Sequence, residues 1–183
     1  PREWYLMDDG KTLGQRPVEA LRDLRMAEIN LEFSPEPIKK TTLLEDPGLQ
    51  AEIMIEMTGS ATAKSGLVMA STEDGDQQTI IYFDPETNEI VLDKTRSTHS
   101  PEMEGPQLLR GKYDVEAFGV PRKWHVFIDG SVVDVFINDA AATAFRTYPT
   151  SADATHVGLF VEGGDVTVES ASLWRLRDDP ISW

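Results

Sequence analysis

A two-residue alternation of apolar and polar side chains runs through most of this chain and restricts its fold more than any other feature. From residue 27 onward, Ile29, Leu31 and Phe33 alternate with polar residues, and the segment 52–57 repeats the pattern. A period of two is typical of a strand with one buried face. Turn sequences such as Asp129-Gly130, a dipeptide typical of two-residue hairpins, separate such segments. The pattern therefore predicts strands joined by short turns.

The spacing of the strands along the chain predicts the fold class. Further predicted strands cover 67–70, 79–83, 89–92, 113–118, 124–129, 132–138, 143–148, 156–161 and 166–176. No helices alternate with them, as a parallel sheet would require. Many short strands at regular spacing predict an all-β fold, an antiparallel two-sheet β-sandwich. The longest irregular stretch, 95–112, is predicted as a surface loop.

The first 25 residues carry a different pattern. Segments 4–7 and 12–15 predict a hairpin around the turn sequence Asp8-Asp9-Gly10. After it, Pro17 suits the first position of a helix, and Val18, Leu21 and Leu24 recur every third residue. The sequence therefore predicts one short N-terminal linker helix at 17–25.

Charge and composition exclude several classes of function. Lys and Arg number 17 and Asp and Glu 32, so the net charge is −15, which disfavours nucleic acid and anionic membrane surfaces as partners. No apolar run approaches the roughly 20 residues that span a bilayer. The chain has no cysteine, which excludes disulfides, thiolate metal sites and cysteine nucleophiles. The compartment, bacterial cytoplasm or exterior, stays open.

Motifs of common hydrolases are absent from the sequence. Neither H-E-x-x-H nor G-x-S-x-G occurs, so zinc and serine hydrolase sites are not expected. His99 lies in the predicted loop, and His125 and His156 each begin a predicted strand, where an edge histidine is the simplest interpretation. Glu52 and Glu56 occupy alternate strand positions, as expected of a solvated face.

One group of oxygen-bearing side chains resembles the start of a calcium loop. Asp84, Glu86 and Asn88 are spaced every second residue, but Glu89 stands where an EF-hand loop needs glycine. A polar hairpin turn around Pro85 is the better interpretation. We therefore expect no metal site and no cofactor.

Tryptophan side chains are the weak candidates for carbohydrate binding, because sugar rings stack on aromatic faces. Trp124 begins one predicted strand and Trp174 lies late in the last one. Core packing explains both without a ligand.

The segment from Trp124 to Asp139, WHVFIDGSVVDVFIND, followed by Thr147-Tyr148-Pro149, resembles the sandwich-domain hairpin of glycoside hydrolase family 32, the invertase, levanase and inulinase family. Its motif positions here are Asp129, Ser131, Asp134, Phe136, Asn138, Tyr148 and Pro149. Residues 1–25 resemble the segment that joins the family's catalytic propeller to the sandwich, and 93–97 resemble its Asp-Arg-Ser-Arg-Ser stretch. Three positions depart from the pattern: Gly130 replaces Arg or Lys, Asp134 replaces Glu, and Ala140 replaces Gly.

The resemblance implies a non-catalytic role. Family members carry their catalytic carboxylates on a five-bladed β-propeller, whose Asn-Asp-Pro, Arg-Asp-Pro and Glu-Cys motifs are absent here. The chain is therefore expected to be the non-catalytic, lectin- or glucanase-like C-terminal sandwich of a retaining β-fructosidase acting on sucrose or fructans. It would supply no catalytic residue, so whether to call it an enzyme depends on its parent protein.

The resemblance also implies an organisation and partners. Residues 1–25 would be the end of the propeller and the linker helix, 26–176 the sandwich, and 177–183 a C-terminal tail. The expected partner is the propeller of the same polypeptide, with a fructan oligosaccharide or a second copy of the chain also open. An alternative is a stand-alone lectin-like module that binds fructans or other glycans. A catalytic sandwich of the laminarinase kind is disfavoured, because no strand carries Glu-x-Asp-x-x-Glu.

Overall fold

The computed structural model describes residues 1–34, 36–102 and 106–177, so most of the predicted tail at 177–183 lies outside the described residues. Its strands are β1 Arg2–Leu6, β2 Leu13–Pro17, β3 Arg25–Ile29, β4 Thr42–Glu45, β5 Gln50–Gly59, β6 Lys64–Ser71, β7 Gln78–Asp84, β8 Glu89–Arg96, β9 Leu108–Lys112, β10 Lys123–Asp129, β11 Val132–Ile137, β12 Ala141–Arg146, β13 His156–Glu162 and β14 Val166–Leu176. A 3-10 helix covers Glu19–Leu24, and α1 covers Val115–Phe118.

Two six-stranded sheets form a sandwich, which confirms the predicted fold class. The first sheet has the order β12-β11-β10-β5-β14-β3, and the second has the order β4-β13-β6-β7-β8-β9. Strands β1 and β2 form a separate N-terminal hairpin. Every strand pairing in the described chain is antiparallel.

The core lies between the two sheets and follows the alternation in the sequence. Ile53, Ile55 and Met57 of β5 are each at most 1% exposed, and they pack with Trp124 and Leu159. Burying an aliphatic side chain of this size stabilises a fold by roughly 1.5–3 kcal/mol. The outer face of the second sheet carries a smaller apolar cluster around Val68, Ile80, Tyr82 and Val91.

Two predicted elements, a helix and a strand, need correction. Pro17 ends β2 instead of beginning a helix, and Val18 is extended with ψ 140°, so the predicted linker helix shortens to one six-residue 3-10 helix. The predicted strand at 113–118 is wrong, because this stretch contains α1. Asp114 caps that helix by accepting a hydrogen bond from the backbone N–H of Ala117, and Gly119 ends it at φ 72°.

Turns and loops also differ in detail from the prediction. The hairpin between β10 and β11 closes through Gly130-Ser131, one residue later than predicted, and of these two only Gly130 has positive φ (55°). The predicted loop at 95–112 is shorter, since β8 continues to Arg96 and β9 begins at Leu108. No helix in the described ranges is long and apolar enough to span a membrane.

Candidate functional site on the outer face of the first sheet

The N-terminal segment, residues 1–24, lies on the outer face of the first sheet. Nη2 of Arg2 donates to Oδ1 of Asp134 at 2.7 Å, and the Arg2 guanidinium stands 5.5 Å from the centre of the Phe136 ring. The Tyr5 hydroxyl donates to the carbonyl of Asp139 at 2.9 Å. The family-motif residues Asp134 and Phe136 thus hold the N-terminal segment. Asp134, one of the departures from the family pattern, has its own ion-pair partner here.

A buried charge cluster, Arg25–Glu52–His125, lies where this segment joins β3. The Glu52 side chain is 1% exposed, and Arg25 donates to both its carboxylate oxygens, at 2.7 and 2.6 Å. Nε2 of His125 lies 2.7 Å from Oε1 of the same carboxylate. The Arg25 guanidinium also stacks over the Trp174 ring at 3.8 Å. Glu52 therefore ties β3, β5 and β10 together.

The charge cluster corrects two sequence interpretations. Glu52 was expected on a solvated face with Glu56, but the N-terminal segment and Arg25 cover that part of the sheet. His125 was expected to be an edge histidine, but β10 lies inside the first sheet and the side chain is 9% exposed. Both residues point outward from the sandwich core, as the period of two requires.

The pKa of Glu52 is shifted by two opposing effects. Burial alone raises the pKa of the carboxyl, whereas the hydrogen bonds from Arg25 and His125 lower it, and the net pKa lies below the ordinary 4.5. The carboxylate is thus held ionised with both oxygens occupied. This arrangement suits a structural clamp and not a proton-donating catalytic acid, whose pKa must be raised.

A polar cleft of about 280 Å³ opens above this cluster, between the N-terminal segment and the sheet. Charged side chains on its walls are already paired. Arg16 bonds Glu3 at 2.6 Å, Arg22 bonds Glu19 at 3.1 Å, and Lys123 bonds Asp139 at 2.6 Å. The cations on the cleft walls are therefore neutralised by partners on their own side of the cleft.

Asn138 has a defined structural role. Its Oδ1 accepts hydrogen bonds from the backbone N–H groups of Arg122 and Lys123, both at 3.0 Å. Its Nδ2 donates to the carbonyls of Phe118 and Val120, both at 2.9 Å. The residue itself is in the left-handed region at φ 54°, a conformation that asparagine tolerates. Asn138 thus fixes the connection from α1 to β10.

The other motif positions do not gather into one site. Asp129 is exposed at the end of β10, and Ser131 accepts from Nη1 of Arg146 at 3.2 Å. Tyr148 is 41% exposed, and Pro149 lies half-buried after it. These side chains lie along β10, the β10–β11 hairpin and the loop after β12.

The two remaining departures sit in turns. Gly130 occupies the β10–β11 turn at φ 55°, with open space around the position that a Cβ would take. Ala140 is buried in the turn between β11 and β12, where its carbonyl accepts from the backbone N–H of Gln15 at 3.0 Å.

Both tryptophan candidates already have packing partners. Trp124 is 0% exposed in the sandwich core, and its Nε1 has no partner in the described chain. One face of Trp174 lies under the Arg25 guanidinium. Stacking a sugar on Trp124 would require opening the core, so we base no binding site on it.

The calcium-like spacing forms a hairpin turn. Asp84 ends β7, its Oδ1 accepts from the backbone N–H of Glu86 at 3.1 Å, and Asn88 turns the chain at φ 51°. Within the described ranges no group of three or more His, Cys, Asp or Glu side chains is placed to hold a metal ion.

Comparisons with known proteins agree on one family. Residues 18–175 match the family described as "Glycosyl hydrolases family 32 C terminal". Over 192 aligned residues, the chain is 24% identical to sucrose-6-phosphate hydrolase of Zymomonas mobilis, covering 97% of this chain and 34% of that protein.

Solved structures show the same fold. The exo-inulinase of Aspergillus awamori aligns with a TM-score of 0.77 at 21% identity, covering 96% of this chain and 34% of that one. Fructan 1-exohydrolase IIa of Cichorium intybus, solved with 1-kestose, aligns with a TM-score of 0.78 at 20% identity, covering 97% of this chain and 40% of that one. The chain thus spans about a third of the length of its curated relatives. It belongs to the glycosyl hydrolase family 32 C-terminal domains.

Proposed function

We propose that this chain is the non-catalytic β-sandwich of a longer β-fructosidase and that its N-terminal segment belongs to the junction with a catalytic propeller. The boundaries would be 1–25 for the end of the propeller and the linker, 26–176 for the sandwich, and 177–183 for the tail. The whole protein would hydrolyse sucrose, its 6-phosphate or fructans, as the names of the relatives suggest. This chain would contribute support and no reacting group.

The observation that carries the proposal is an uncovered apolar face on the N-terminal hairpin. Trp4, Leu6 and Leu13 are 62%, 58% and 55% exposed, and Leu6 pairs with Leu13 across the two strands. A two-stranded sheet is only marginally stable by itself, and large apolar side chains normally face a partner. The hairpin is anchored on the sandwich through Tyr5, on its opposite face, and through Arg2, the first residue of β1. A propeller blade continuing the hairpin would cover the exposed face.

Activity of the isolated chain tests the proposal. We expect no fructose release when the 183-residue chain is incubated with sucrose, sucrose 6-phosphate, 1-kestose or inulin, because Glu52, the most buried carboxylate among the described residues, is fully engaged by Arg25 and His125. The control is a full-length exo-inulinase under the same conditions. Fructose release by the isolated chain that exceeds the buffer rate would overturn the assignment.

A further inference from the structure

We propose that the loops at one end of the sandwich form a binding site for a neutral carbohydrate, with Gln77 as its central donor. The site is a cavity of about 370 Å³ between the β6–β7 loop, residues 72–77, and the loop after β12, residues 147–155. Pockets for small molecules span roughly 300–1,000 Å³. The cavity lies outside the N-terminal segment and its cleft, and the proposal is independent of the proposed propeller.

Gln77 is buried and carries an unused hydrogen-bond donor. The residue is 4% exposed, and its Oε1 accepts from the backbone N–H groups of Thr150 and Ser151, at 2.8 and 3.3 Å. Because two backbone donors meet this atom, it is the oxygen of the amide and the other atom is the NH₂ group. No acceptor in the described chain meets Nε2 of Gln77.

The free amide nitrogen is open to the cavity. The buried polar atoms that have no partner in the described chain are Thr79 Oγ1, Trp124 Nε1 and His156 Nδ1. Nε2 of Gln77 also has no partner in the described chain but is not among these buried atoms, so it keeps some exposed surface. Because Gln77 lines the cavity, this donor is reachable from it. A buried amide normally uses both its ends, and here the second end is available to a ligand.

Carboxylates that line the same cavity are held by hydrogen bonds of their own. Oδ1 of Asp74 accepts from the Thr72 hydroxyl at 2.6 Å and from the backbone N–H of Asp76 at 3.0 Å. The hydrogen bond from Thr72 lowers the pKa of Asp74, so this carboxylate is ionised at neutral pH. Oδ1 of Asp153 accepts a hydrogen bond from the Ser151 hydroxyl. Each carboxylate keeps a second oxygen that can accept a further hydrogen bond.

The combination favours a neutral hydroxyl-rich ligand. Carboxylates of Asp74, Asp76 and Asp153 repel anions, and the N–H hydrogens of Gln77 are unsuited to a cation. A sugar hydroxyl accepts from an amide and donates to a carboxylate at the same time. Two neighbouring hydroxyls of one sugar ring would therefore bridge Gln77 and a carboxylate.

The second loop is held against the first one by cross-loop contacts. Oγ1 of Thr150 accepts from the backbone N–H of His99 at 3.4 Å, and the His99 ring lies 2.8 Å from Oδ2 of Asp76. The family-motif pair Tyr148-Pro149 immediately precedes Thr150. Two loops thus line the cavity, His99 of a third loop contacts both of them, and Gln77 is positioned before any ligand arrives.

A titration followed by ¹⁵N-correlated NMR tests the site. Addition of 1-kestose is expected to shift the side-chain NH₂ signals of Gln77 in a saturable way, with a Kd on the order of 1 mM because few polar groups contact the ligand. Gln77→Glu retains the acceptor for Thr150 and Ser151 but replaces the donor by an oxygen, and we expect it to weaken binding about tenfold, measured by calorimetry. Asn30→Asp, the same amide-to-acid change at a distant exposed position, should leave binding unchanged.

A second variant keeps the binding test informative if Gln77→Glu fails to fold. Asp153→Asn changes one exposed acceptor into a donor, and binding should weaken about threefold with the fold intact. Three results would overturn the proposal: no shift of the Gln77 signals with 1-kestose, equal shifts with glycerol at matched hydroxyl concentration, or shifts of the same signals by calcium chloride at lower concentration than by the sugar.

Discussion

Replacing Glu52 by alanine is expected to lower the free energy of unfolding by about 3 kcal/mol, because it leaves Arg25 and His125 without their shared partner. The value is at the lower end for a broken buried ion pair, since the Arg25 side chain is 21% exposed. For a chain of this length, the melting temperature should fall by about 6–12 °C. Urea unfolding monitored by tryptophan fluorescence gives both the midpoint and the slope.

The matched control is Glu56→Ala, on the same strand and the same side of the first sheet. Glu56 is exposed and makes no described ion pair, so its replacement should change the free energy of unfolding by less than about 0.5 kcal/mol. Equal effects of the two substitutions would contradict the role of Glu52 as a clamp.

The effect of Glu52 also depends on pH in a defined direction. The pKa of Glu52 in the folded protein lies below 4.5, so folding favours the ionised form. The stability it contributes is therefore present above pH 4.5 and is lost as the pH falls through the folded pKa. The difference between wild type and Glu52→Ala should shrink in that acidic range, whereas a constant difference down to pH 3 would contradict the assignment.

Gly66→Ala is expected to lower the free energy of unfolding by about 3 kcal/mol, which is at the upper end of the range for overpacking a well-packed site. A Cβ at Gly66 would collide with the carbonyl oxygen of Ile81 and stand 2.5 Å from Cα of Tyr82. Gly66 also lies between Phe160 and Tyr82 in the strand register, and these two rings approach to 4.8 Å across it. Aromatic rings covering a strand glycine are a recurrent way to stabilise such a position.

Gly111→Ala is the control for this substitution. Gly111 lies in β9 of the same sheet, and a Cβ there meets nothing within 4 Å. Its replacement should be neutral or slightly stabilising, because alanine restricts the unfolded chain more than glycine does. Thermal melts of the two variants side by side decide the point, and a Gly66→Ala variant as stable as Gly111→Ala would show that the second sheet adapts freely.

The alternation of side chains was enough to predict the sandwich and its core. Ile53, Ile55 and Met57 are buried as their spacing predicts, because a strand must place alternate residues on opposite faces. Burial of Ile29, Leu31 and Phe33 alternates as well, although β3 ends at Ile29. The local sequence pattern thus predicts side-chain burial better than it predicts where a strand ends. The end of a strand depends on the neighbouring strands, which the local pattern does not contain.

The candidate site was less accessible to sequence reasoning. Glu52 has the spacing of a surface residue, and only the position of Arg25 and the N-terminal segment makes it buried. Gln77 carries no periodic signal, since its burial comes from a loop more than 70 residues away. One local signal does indicate α1: Asp114 has the cap chemistry that begins a helix, and Gly119 has the conformational freedom that ends one.

Sequencing the reading frame upstream of the codon for Pro1 tests the central claim most directly. The account predicts that the frame continues without interruption into a domain of glycoside hydrolase family 32 carrying Asn-Asp-Pro, Arg-Asp-Pro and Glu-Cys motifs. A start codon or a signal peptide immediately before Pro1 would contradict it, because the exposed face of Trp4, Leu6 and Leu13 would then have no propeller to cover it.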